Sequence, residues 1–273
     1  MKIKAKAKIN LSLNILGVKD GFHMLESVVA QIDLADIIYV QKSDKVNVEY
    51  SNFKISPEKD NTVKAIKEFC KEFNTPPIKA YVKKNIPAKA GLGGSSADAV
   101  GVIKAMEKLY NITDSKRVLN LLAKIGSDCP VQYLGGYALM KGRGEVVEKI
   151  NASKKLYYLL ICEDDGVDTK QCFELSDRVE NNALSDNDKL VAFLQGKAKV
   201  SQLDNALKKP AEMLNVKVSK NLQTLANYFS LYNLTGSGSC CYGVTQSYFY
   251  AKKIYKKLKK QGIKVILAKS TGK

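Results

Sequence analysis

A glycine-rich segment at residues 87–97 reads PAKAGLGGSSA and contains the residue types of a phosphate site. Its three glycines allow a tight bend and a close approach of the backbone to a ligand. Ser95 and Ser96 follow at the start of a predicted helix, where unpaired N–H groups and the helix dipole favour an anion. A serine hydroxyl at a helix start can also reach a magnesium ion. The segment is consistent with phosphate binding, and a turn without a ligand gives the same glycine pattern.

The segment lacks the lysine that the common nucleotide loop GxxxxGK[ST] uses to hold the outer phosphates. After the glycines the next lysine is Lys104, two turns into the predicted helix. If the segment binds a nucleotide, its positive charge must come from another part of the chain.

Asp128 is a candidate catalytic carboxylate because its surroundings are rigid. Gly126 is predicted to end a helix before it, and Pro130 after it disfavours a helical conformation at Cys129. Such surroundings would orient a carboxylate for catalysis. They suit a helix-capping aspartate as well, so the local sequence leaves both interpretations open.

His23 is the single histidine of the chain and follows Phe22 in DGFHML. It could act as a base, as a metal ligand or as a hydrogen-bond partner of an aromatic ring, and it could equally be a packing or surface residue. One histidine excludes a multi-histidine metal site and leaves serine–histidine chemistry dependent on this residue.

The elements that must position these residues follow from periodicity. Residues 2–15 alternate apolar and polar side chains without a break, which predicts one long strand with Lys8 and Asn10 on its polar face. Residues 26–43 predict further strand, with bends near the two aspartates at 33 and 36. Helices are predicted from Pro57 to about residue 73, from the glycine-rich segment to about residue 110 with Ser95 or Ser96 as N-cap, from 114 to Gly126, and around 250–260. KGRGE is predicted as a hairpin turn and 264–270 as a final strand.

Strands and helices mix without regular βαβ alternation, so the predicted class is α+β. Lysine-rich NASKK at 151–155 precedes the apolar LYYLLIC. This composition shift predicts a domain boundary that divides the chain into residues 1–152 and 153–273.

The composition limits the classes of function. The net charge of +17 over 273 residues implies attraction to nucleic acid, a membrane surface or phosphorylated metabolites. Many lysines lie on the predicted C-terminal helix opposite an apolar stripe, which is typical of a solvated face. No apolar run approaches the about 18–20 residues of a membrane helix, so a soluble, cytoplasmic protein is expected. Six cysteines without a CxxC pair predict free thiols in a reducing compartment.

Four stretches, in this order, carry a resemblance to a known family: AKINLSLNILGVKDGFHMLESVVAQIDLAD, PAKAGLGGSSADAV, GSDCPVQYLGG with GRGE, and LTGSGSCCYGV. The chain resembles the GHMP kinase superfamily over about residues 5–245. Within it the chain resembles the kinases of the cytidine-diphosphate alcohol 4-diphosphocytidyl-2-C-methyl-D-erythritol, in the non-mevalonate isoprenoid precursor pathway. The resemblance implies a two-domain fold, with an N-terminal ribosomal-protein-S5-like domain and a C-terminal ferredoxin-like α/β-plait domain.

The resemblance also implies an activity and its residues. The γ-phosphoryl group of ATP would pass to the 2-hydroxyl of the substrate with Mg²⁺, and Lys8 and Asp128 would be catalytic. Ser96 would lie near the metal. The residues that would wrap the triphosphate are Pro87, Ala88, Lys89, Ala90, Gly91, Leu92, Gly93, Gly94, Ser95, Ser96 and Ala97. The residues that would bind the substrate are Asn10, Phe22, His23, Phe173, Asn205, Gly236, Ser237 and Gly238, with the cytosine read near Phe22 and His23. A monomer or weak homodimer without nucleic-acid or membrane partners is expected.

Two departures from the family pattern affect the expected site. GLGGSSADA replaces the usual GLGGGSSDA, so one hydroxyl has moved, and Phe22 replaces a tyrosine, so a phenolic hydrogen bond is lost. A GHMP kinase of the homoserine or mevalonate type is the first alternative. A basic nucleic-acid-binding protein is the second, and it leaves Asp128, the glycine-rich segment and GSGS unexplained.

Overall fold

The computed structural model describes residues 1–51, 54–179 and 184–272, and the chain forms two compact units. The first unit consists of Met1–Ala7, Leu34–Ile86 and Gly93–Leu134, and the second of Lys8–Asp33, Pro87–Leu92 and Gly135–Lys273. Both units combine helices with strands, which confirms the predicted α+β class. The contiguous division at residues 152 and 153 stays a prediction.

Eleven strands and nine α-helices lie in the described ranges. The strands are β1 (Lys2–Asn10), β2 (Asn14–Lys19), β3 (Phe22–Lys42), β4 (Asn47–Tyr50), β5 (Ile78–Lys83), β6 (Tyr137–Gly142), β7 (Val146–Ile150), β8 (Tyr157–Ile161), β9 (Leu231–Leu234), β10 (Cys241–Thr245) and β11 (Val265–Lys269). The helices are α1 (Asn61–Phe73), α2 (Gly94–Tyr110), α3 (Ser115–Ile125), α4 (Cys129–Leu134), α5 (Thr169–Ser176), α6 (Asn187–Leu194), α7 (Lys208–Leu214), α8 (Val216–Ala226) and α9 (Tyr248–Lys260).

The first unit packs α1 to α4 with a small sheet. The last six residues of β3 pair antiparallel with β5, and β5 pairs in parallel with β4. β5 alternates strictly between buried and exposed residues, as expected of a strand with one face on a core. α1 begins where the Asp60 side chain accepts a hydrogen bond from the backbone N–H of Thr62, and it buries Val63, Ile66 and Phe69. The predicted helix over 57–73 is thus confirmed, apart from a separate 3₁₀ turn over Pro57–Lys59.

The second unit contains a four-stranded antiparallel sheet in the order β11-β8-β10-β9. Helices α5 to α8 separate β8 from β9, and α9 separates β10 from β11. This order and connection are those of the ferredoxin-like plait, as predicted. α9 buries Ala251, Ile254 and Leu258 and exposes most of its lysines, which confirms a solvated basic face.

The unbroken strand predicted for residues 2–15 is wrong. β1 ends at Asn10, where the regular pairing is interrupted because the N–H groups of Leu11 and Ser12 both donate to the Val28 carbonyl of β3 and that of Leu13 donates to the Asp204 carbonyl. β2 begins at Asn14. The predicted bends near the aspartates at 33 and 36 are wrong too, since β3 runs continuously through both.

The prediction of six free thiols is wrong for one pair, because Cys162 and Cys240 are joined by a disulfide. β8 pairs antiparallel with β10, with Ile161 opposite Cys241. Cys162 follows Ile161 and Cys240 precedes Cys241, so the pairing places the two cysteines opposite each other. The pair is separated by 78 residues, a spacing that carries no sequence signal. Cys70, Cys129, Cys172 and Cys241 are free.

None of the helices in the described ranges combines the length and apolar character that a membrane crossing requires.

Candidate functional site

The polar side of β1 changes from exposed to buried along the strand. Lys2 and Lys4 are exposed, whereas Lys8 and Asn10 retain only 4% and 1% of their accessible surface. The Lys8 ammonium donates a 2.6 Å hydrogen bond to Asn10 Oδ1. Burying an ammonium group costs free energy unless partners compensate for the lost water. Burial therefore separates Lys8 from the solvated lysines of the same strand.

Asn10 connects this lysine to a loop at residues 235–239, which contains the GSGS stretch of residues 236–239 (the GSGS loop). The backbone N–H of Asn10 donates to Thr235 Oγ1 at 3.1 Å, and Asn10 Oδ1 accepts from the N–H of Gly236 at 3.1 Å. Asn10 Nδ2 donates to Ser27 Oγ at 2.8 Å. A Cβ atom on Gly236 would lie 3.6 Å from Lys8 Nζ. The loop therefore lies directly against the lysine amine.

The first part of the glycine-rich segment lies against the same loop. Gly91 has a φ of +72°, and a Cβ there would lie 2.0 Å from the Thr235 carbonyl oxygen. Thr235 Oγ1 donates to the Gly91 carbonyl at 3.1 Å, and the N–H of Lys8 donates to the Leu92 carbonyl at 3.1 Å. Lys8, residues 87–92 and the GSGS loop thus come together in the second unit, although they lie far apart in the sequence.

Gly91→Ala tests this close contact. We expect the Tm of the variant to fall by roughly 10 °C, because the new methyl group overlaps a backbone oxygen in a left-handed conformation. Thermal unfolding followed by circular dichroism measures the change. Gly262→Ala is the matched control, since Gly262 also has a positive φ of +78° but has nothing within 4 Å of its Cβ position. Equal Tm values for the two variants would contradict the proposed overlap.

Three predicted substrate residues determine the conformation of the GSGS loop. Asn205 Nδ2 donates to the carbonyls of Leu234 and Gly236 at 3.0 and 2.9 Å, so both of its N–H donors are used within the protein. Ser237 Oγ shares a 2.9 Å hydrogen bond with Thr169 Oγ1. Gly238 has a φ of +88°, and a Cβ there would crowd the Leu234 side chain at 2.9 Å. In this structure these residues fix the shape of the loop.

The remainder of the glycine-rich segment begins α2 in the first unit. Gly93 is the N-cap, in a left-handed conformation with φ +68°, and no side chain caps the helix. The predicted N-cap at Ser95 or Ser96 is therefore wrong, because the glycine turn itself starts the helix and places both serines in its first turn. Ala97 is buried, so its side chain faces the core.

The turn that carries Asp128 meets this first turn of α2. A Cβ on Gly126 would lie 3.5 Å from Ser96 Oγ, and Gln132 Nε2 donates to the Gly93 carbonyl at 3.0 Å. Asp128 is half-buried and immediately precedes α4. The neighbouring Cys129 is no nucleophile, because burial raises the pKa of its thiol to about 12.

The predicted base-reading residues are partly brought together. The rings of His23 and Phe173 lie 4.8 Å apart between centroids, and His23 Nε2 lies 2.8 Å from Asp177 Oδ1. Phe22 is instead 48% exposed and contacts the Arg143 guanidinium at 3.5 Å from its ring centroid. Neighbouring residues of a strand point to opposite faces, so Phe22 and His23 do not form one pair. Phe173, which is also among the predicted substrate residues, is the aromatic partner of His23.

Sequence reasoning missed a buried ionic cluster beside the start of α2. Lys84 Nζ donates to Asp36 Oδ2 and, at 2.6 Å, to Asp98 Oδ2. Burial raises the pKa of Asp98 to about 8, against the opposing effect of Lys84 and with a smaller contribution from the Asp36 carboxylate. For Lys84 burial lowers the pKa, but the two carboxylates outweigh it and leave the pKa raised.

The described residues contain no group of three or more histidine, cysteine, aspartate or glutamate side chains that could hold a metal ion by themselves. A magnesium ion that binds phosphate groups commonly takes one or two protein ligands together with phosphate oxygens and water. Ser96, in the first turn of α2, fits the role of such a single ligand.

Comparison with known proteins places this geometry in a family. Residues 61–136 match the model of the GHMP kinases N terminal domain. The chain is similar to the 4-diphosphocytidyl-2-C-methyl-D-erythritol kinase of Clostridium tetani (strain Massachusetts / E88), with 32% identity over 99% of this chain and 100% of the relative. The kinase of the same name from Carboxydothermus hydrogenoformans (strain ATCC BAA-161 / DSM 6008 / Z-2901) is 33% identical over 98% of this chain and 96% of the relative.

A solved structure confirms the fold. The crystal structure of a 4-(cytidine 5'-diphospho)-2C-methyl-D-erythritol kinase superposes with a TM-score of 0.81, at 22% identity and over the full length of both chains. The GHMP kinase fold predicted from the sequence is therefore present. With the full-length relatives at 32% and 33% identity, it follows that the chain belongs to the 4-diphosphocytidyl-2-C-methyl-D-erythritol kinase family of the GHMP kinases.

Proposed function

We infer that this chain transfers the γ-phosphoryl group of ATP to the 2-hydroxyl of 4-diphosphocytidyl-2-C-methyl-D-erythritol, a step towards isoprenoid precursors. The names of its full-length relatives support this activity. The structural observation that carries it is the buried ammonium of Lys8 against Gly236 and the glycine-rich segment. Phosphoryl transfer depends on positioning and on compensation of negative charge, and a buried cation beside a phosphate-type loop supplies both.

A substrate panel tests the function. ATP consumption is measured with the cytidyl substrate, mevalonate and homoserine as separate acceptors. We expect turnover with the cytidyl substrate at least about 100-fold above the other two in kcat/KM. Preference for mevalonate or homoserine would replace the proposed substrate while keeping the kinase. Absence of turnover with all three would refute the proposed function.

The catalytic roles remain those of Lys8 and Asp128. The substrate's 2-oxygen attacks the γ-phosphorus, the bond from that phosphorus to the β,γ-bridging oxygen breaks, and ADP leaves. Asp128 accepts or orients the hydroxyl proton, and the Lys8 ammonium stabilises the charge that develops on the transferring group. Bound Mg²⁺ would neutralise phosphate charge, with Ser96 as the protein ligand.

The triphosphate would lie along residues 87–97. The backbone of Gly91 and Gly93 adopts left-handed conformations that a side chain would strain. α2 begins without a side-chain cap, so the N–H groups of its first turn remain for phosphate oxygens. Both features support nucleotide binding at this segment.

The cytosine would be read by His23 and Phe173. The Asp177 carboxylate only accepts hydrogen bonds, so His23 Nε2 carries the proton and neutral His23 presents Nδ1 as an acceptor. An acceptor on an imidazole packed against Phe173 fits the exocyclic amino group of cytosine. A small alcohol such as homoserine has no ring for this pair, which favours the cytidyl substrate over the first alternative.

His23→Ala is expected to raise KM for the cytidyl substrate about tenfold and to leave KM for ATP unchanged, because only the base loses a hydrogen bond. Steady-state kinetics with each substrate varied in turn gives both constants. Val18→Ala is the matched control, since Val18 is exposed directly opposite His23 in the β2–β3 pair. An unchanged KM for the cytidyl substrate would remove His23 from base recognition.

We further propose a cytoplasmic protein that is a monomer or weak homodimer, with no nucleic-acid or membrane partner. Filter binding to RNA across a salt series tests this, because tight binding that weakens steeply with salt would identify a nucleic-acid partner.

A further inference from the structure

Three charged side chains from separate segments of the first unit meet in the buried cluster of Asp36, Lys84 and Asp98. Asp36 lies in β3, Lys84 directly follows β5, and Asp98 lies in α2. The side chain of Lys84 is 9% exposed, and those of Asp36 and Asp98 are 0% and 2% exposed. A single ammonium group thus joins a strand, the segment before Pro87 and the helix.

Asp36 also fixes the chain that leads into the glycine-rich segment. Its Oδ1 accepts hydrogen bonds from the backbone N–H of Asn85 at 2.5 Å and of Ile86 at 2.8 Å. Asn85 Nδ2 donates to the Ala35 carbonyl at 2.9 Å. The approach to Pro87 is therefore held to β3 by four hydrogen bonds that involve Asp36, Lys84 and Asn85.

The cluster lies beneath the first turn of α2. A Cβ on Gly94 would lie 3.6 Å from Lys84 Nζ and 3.3 Å from Ile86 Cγ2. Asp98 is one turn further along the helix, and its Oδ2 accepts a hydrogen bond from Lys84 Nζ, whereas its Oδ1 is buried without a hydrogen-bond partner among the described residues. The hydrogen bond between Lys84 and Asp98 therefore connects α2 to residues 84–86, the segment that Asp36 holds.

A buried carboxylate oxygen without a hydrogen-bond partner is costly and rare in folded proteins. Asp98 is therefore a poor choice for stability alone at this position, and an apolar residue would avoid the cost. A functional role for the hydrogen bond between Lys84 and Asp98 would explain why this free-energy cost is retained.

We propose that Lys84, held by Asp36, positions the first turn of α2 through Asp98, so that the N–H groups at Gly94–Ser96 are aimed at the phosphates of ATP. This deepens the proposed function and rests on it, because it requires ATP at the glycine-rich segment. The three residues are positioning residues: their polar groups are buried and hydrogen-bonded to one another, and Asp98 acts on the ligand only through the helix that carries it. Pre-organised donors bind phosphate better than donors that must be ordered on binding.

Asp98→Ala provides the test. Alanine preserves the helix and removes both the tie to Lys84 and the unpaired oxygen, while Lys84 keeps Asp36 as its ionic partner. We expect KM for ATP to rise about tenfold, with kcat within about threefold and KM for the cytidyl substrate unchanged. In Asp98→Asn the amide oxygen still accepts from Lys84, so KM for ATP should return to within about threefold of the wild-type value.

Glu107→Ala is the matched control. Glu107 lies on the same helix beyond Asp98 and also has one side-chain hydrogen bond, from Tyr133 Oη at 2.7 Å. Its removal should leave KM for ATP unchanged. Thermal melts accompany all three variants, so that partial unfolding is separated from a change in affinity.

The proposal is overturned if Asp98→Ala keeps KM for ATP within about twofold of wild type, or if Asp98→Asn is as impaired as Asp98→Ala. A parallel fall in kcat and in affinity for both substrates would also overturn it, because that pattern indicates general loss of structure. Failure of the proposed function looks different, since the wild-type protein would then be inactive across the substrate panel. ADP affinity measured by titration calorimetry on the same variants would then decide the role of the cluster.

Discussion

Lys8→Ala is expected to lower kcat by a factor of about 10³ or more while ATP still binds. The Lys8 ammonium is the buried cation that the second unit places against the glycine-rich segment and Gly236. Its loss removes charge stabilisation that is needed most in the transition state. Asn10 Oδ1 keeps its hydrogen bond from the N–H of Gly236, so the GSGS loop should keep its place. Steady-state kinetics gives kcat, and titration calorimetry with ATP gives the affinity.

Lys4→Ala is the control for this variant. Lys4 lies on the same side of the same strand, two alternations earlier, and is exposed. It should retain wild-type kinetics, because its charge is solvated. Near-native turnover of Lys8→Ala, or an equal effect of the two substitutions, would show that the buried Lys8 ammonium has no catalytic role.

Asp128→Asn is expected to reduce kcat by a factor of about 10² to 10⁴, the usual contribution of a positioned proton acceptor. Asparagine keeps the size of the side chain and its hydrogen-bonding capacity but has no carboxylate to receive the proton. The start of α4 is set by backbone contacts, with the N–H of Gln132 donating to the Asp128 carbonyl, so the fold should persist. KM for both substrates should change little, since the group acts on the reacting hydroxyl.

Ser127→Ala serves as the neighbouring control, because Ser127 is exposed in the same turn. It should leave kcat unchanged. If Asp128→Asn alters only Tm and KM while kcat stays at the wild-type value, Asp128 is a capping residue, which is the other interpretation that the local sequence allows.

The sequence predicts most of the elements because hydrophobic periodicity is local information. α1, α3, α9 and β11 follow from spacing and capping residues within a few positions. The same periodicity could not separate Lys8 from Lys2 and Lys4, because all lie on one polar face of β1. Lys8 is buried and Lys2 and Lys4 are exposed because Thr235 and Gly236 cover this face only near Asn10. Both covering residues lie more than 200 positions from Asn10 in the sequence.

The sequence predicts the site residues that lie in recognisable motifs and misses those that only the fold brings together. Lys8, residues 87–92 and the GSGS loop were named from the resemblance, and the structure brings them together. Asp177 was missed because nothing in its local sequence marks a partner for His23. The contact of Lys84 with Asp98 was also missed, since it depends on how α2 packs against the chain after β5. The resemblance groups Phe22 with His23, although neighbouring side chains of a strand point to opposite faces.

The order of synthesis has a consequence for the segment at residues 8–33, which belongs to the second unit. Gln31 pairs with Thr271 through two hydrogen bonds, and Ile32 bridges to Ser270. Leu13 exchanges hydrogen bonds with Asp204 and Ala206. A ribosome makes the first member of each pair long before the second, since Gln31 and Thr271 are 240 residues apart. The backbone groups of residues 8–33 in the nascent chain therefore lack their native partners over a long stretch of synthesis, and chaperone binding is expected to be strongest during that interval.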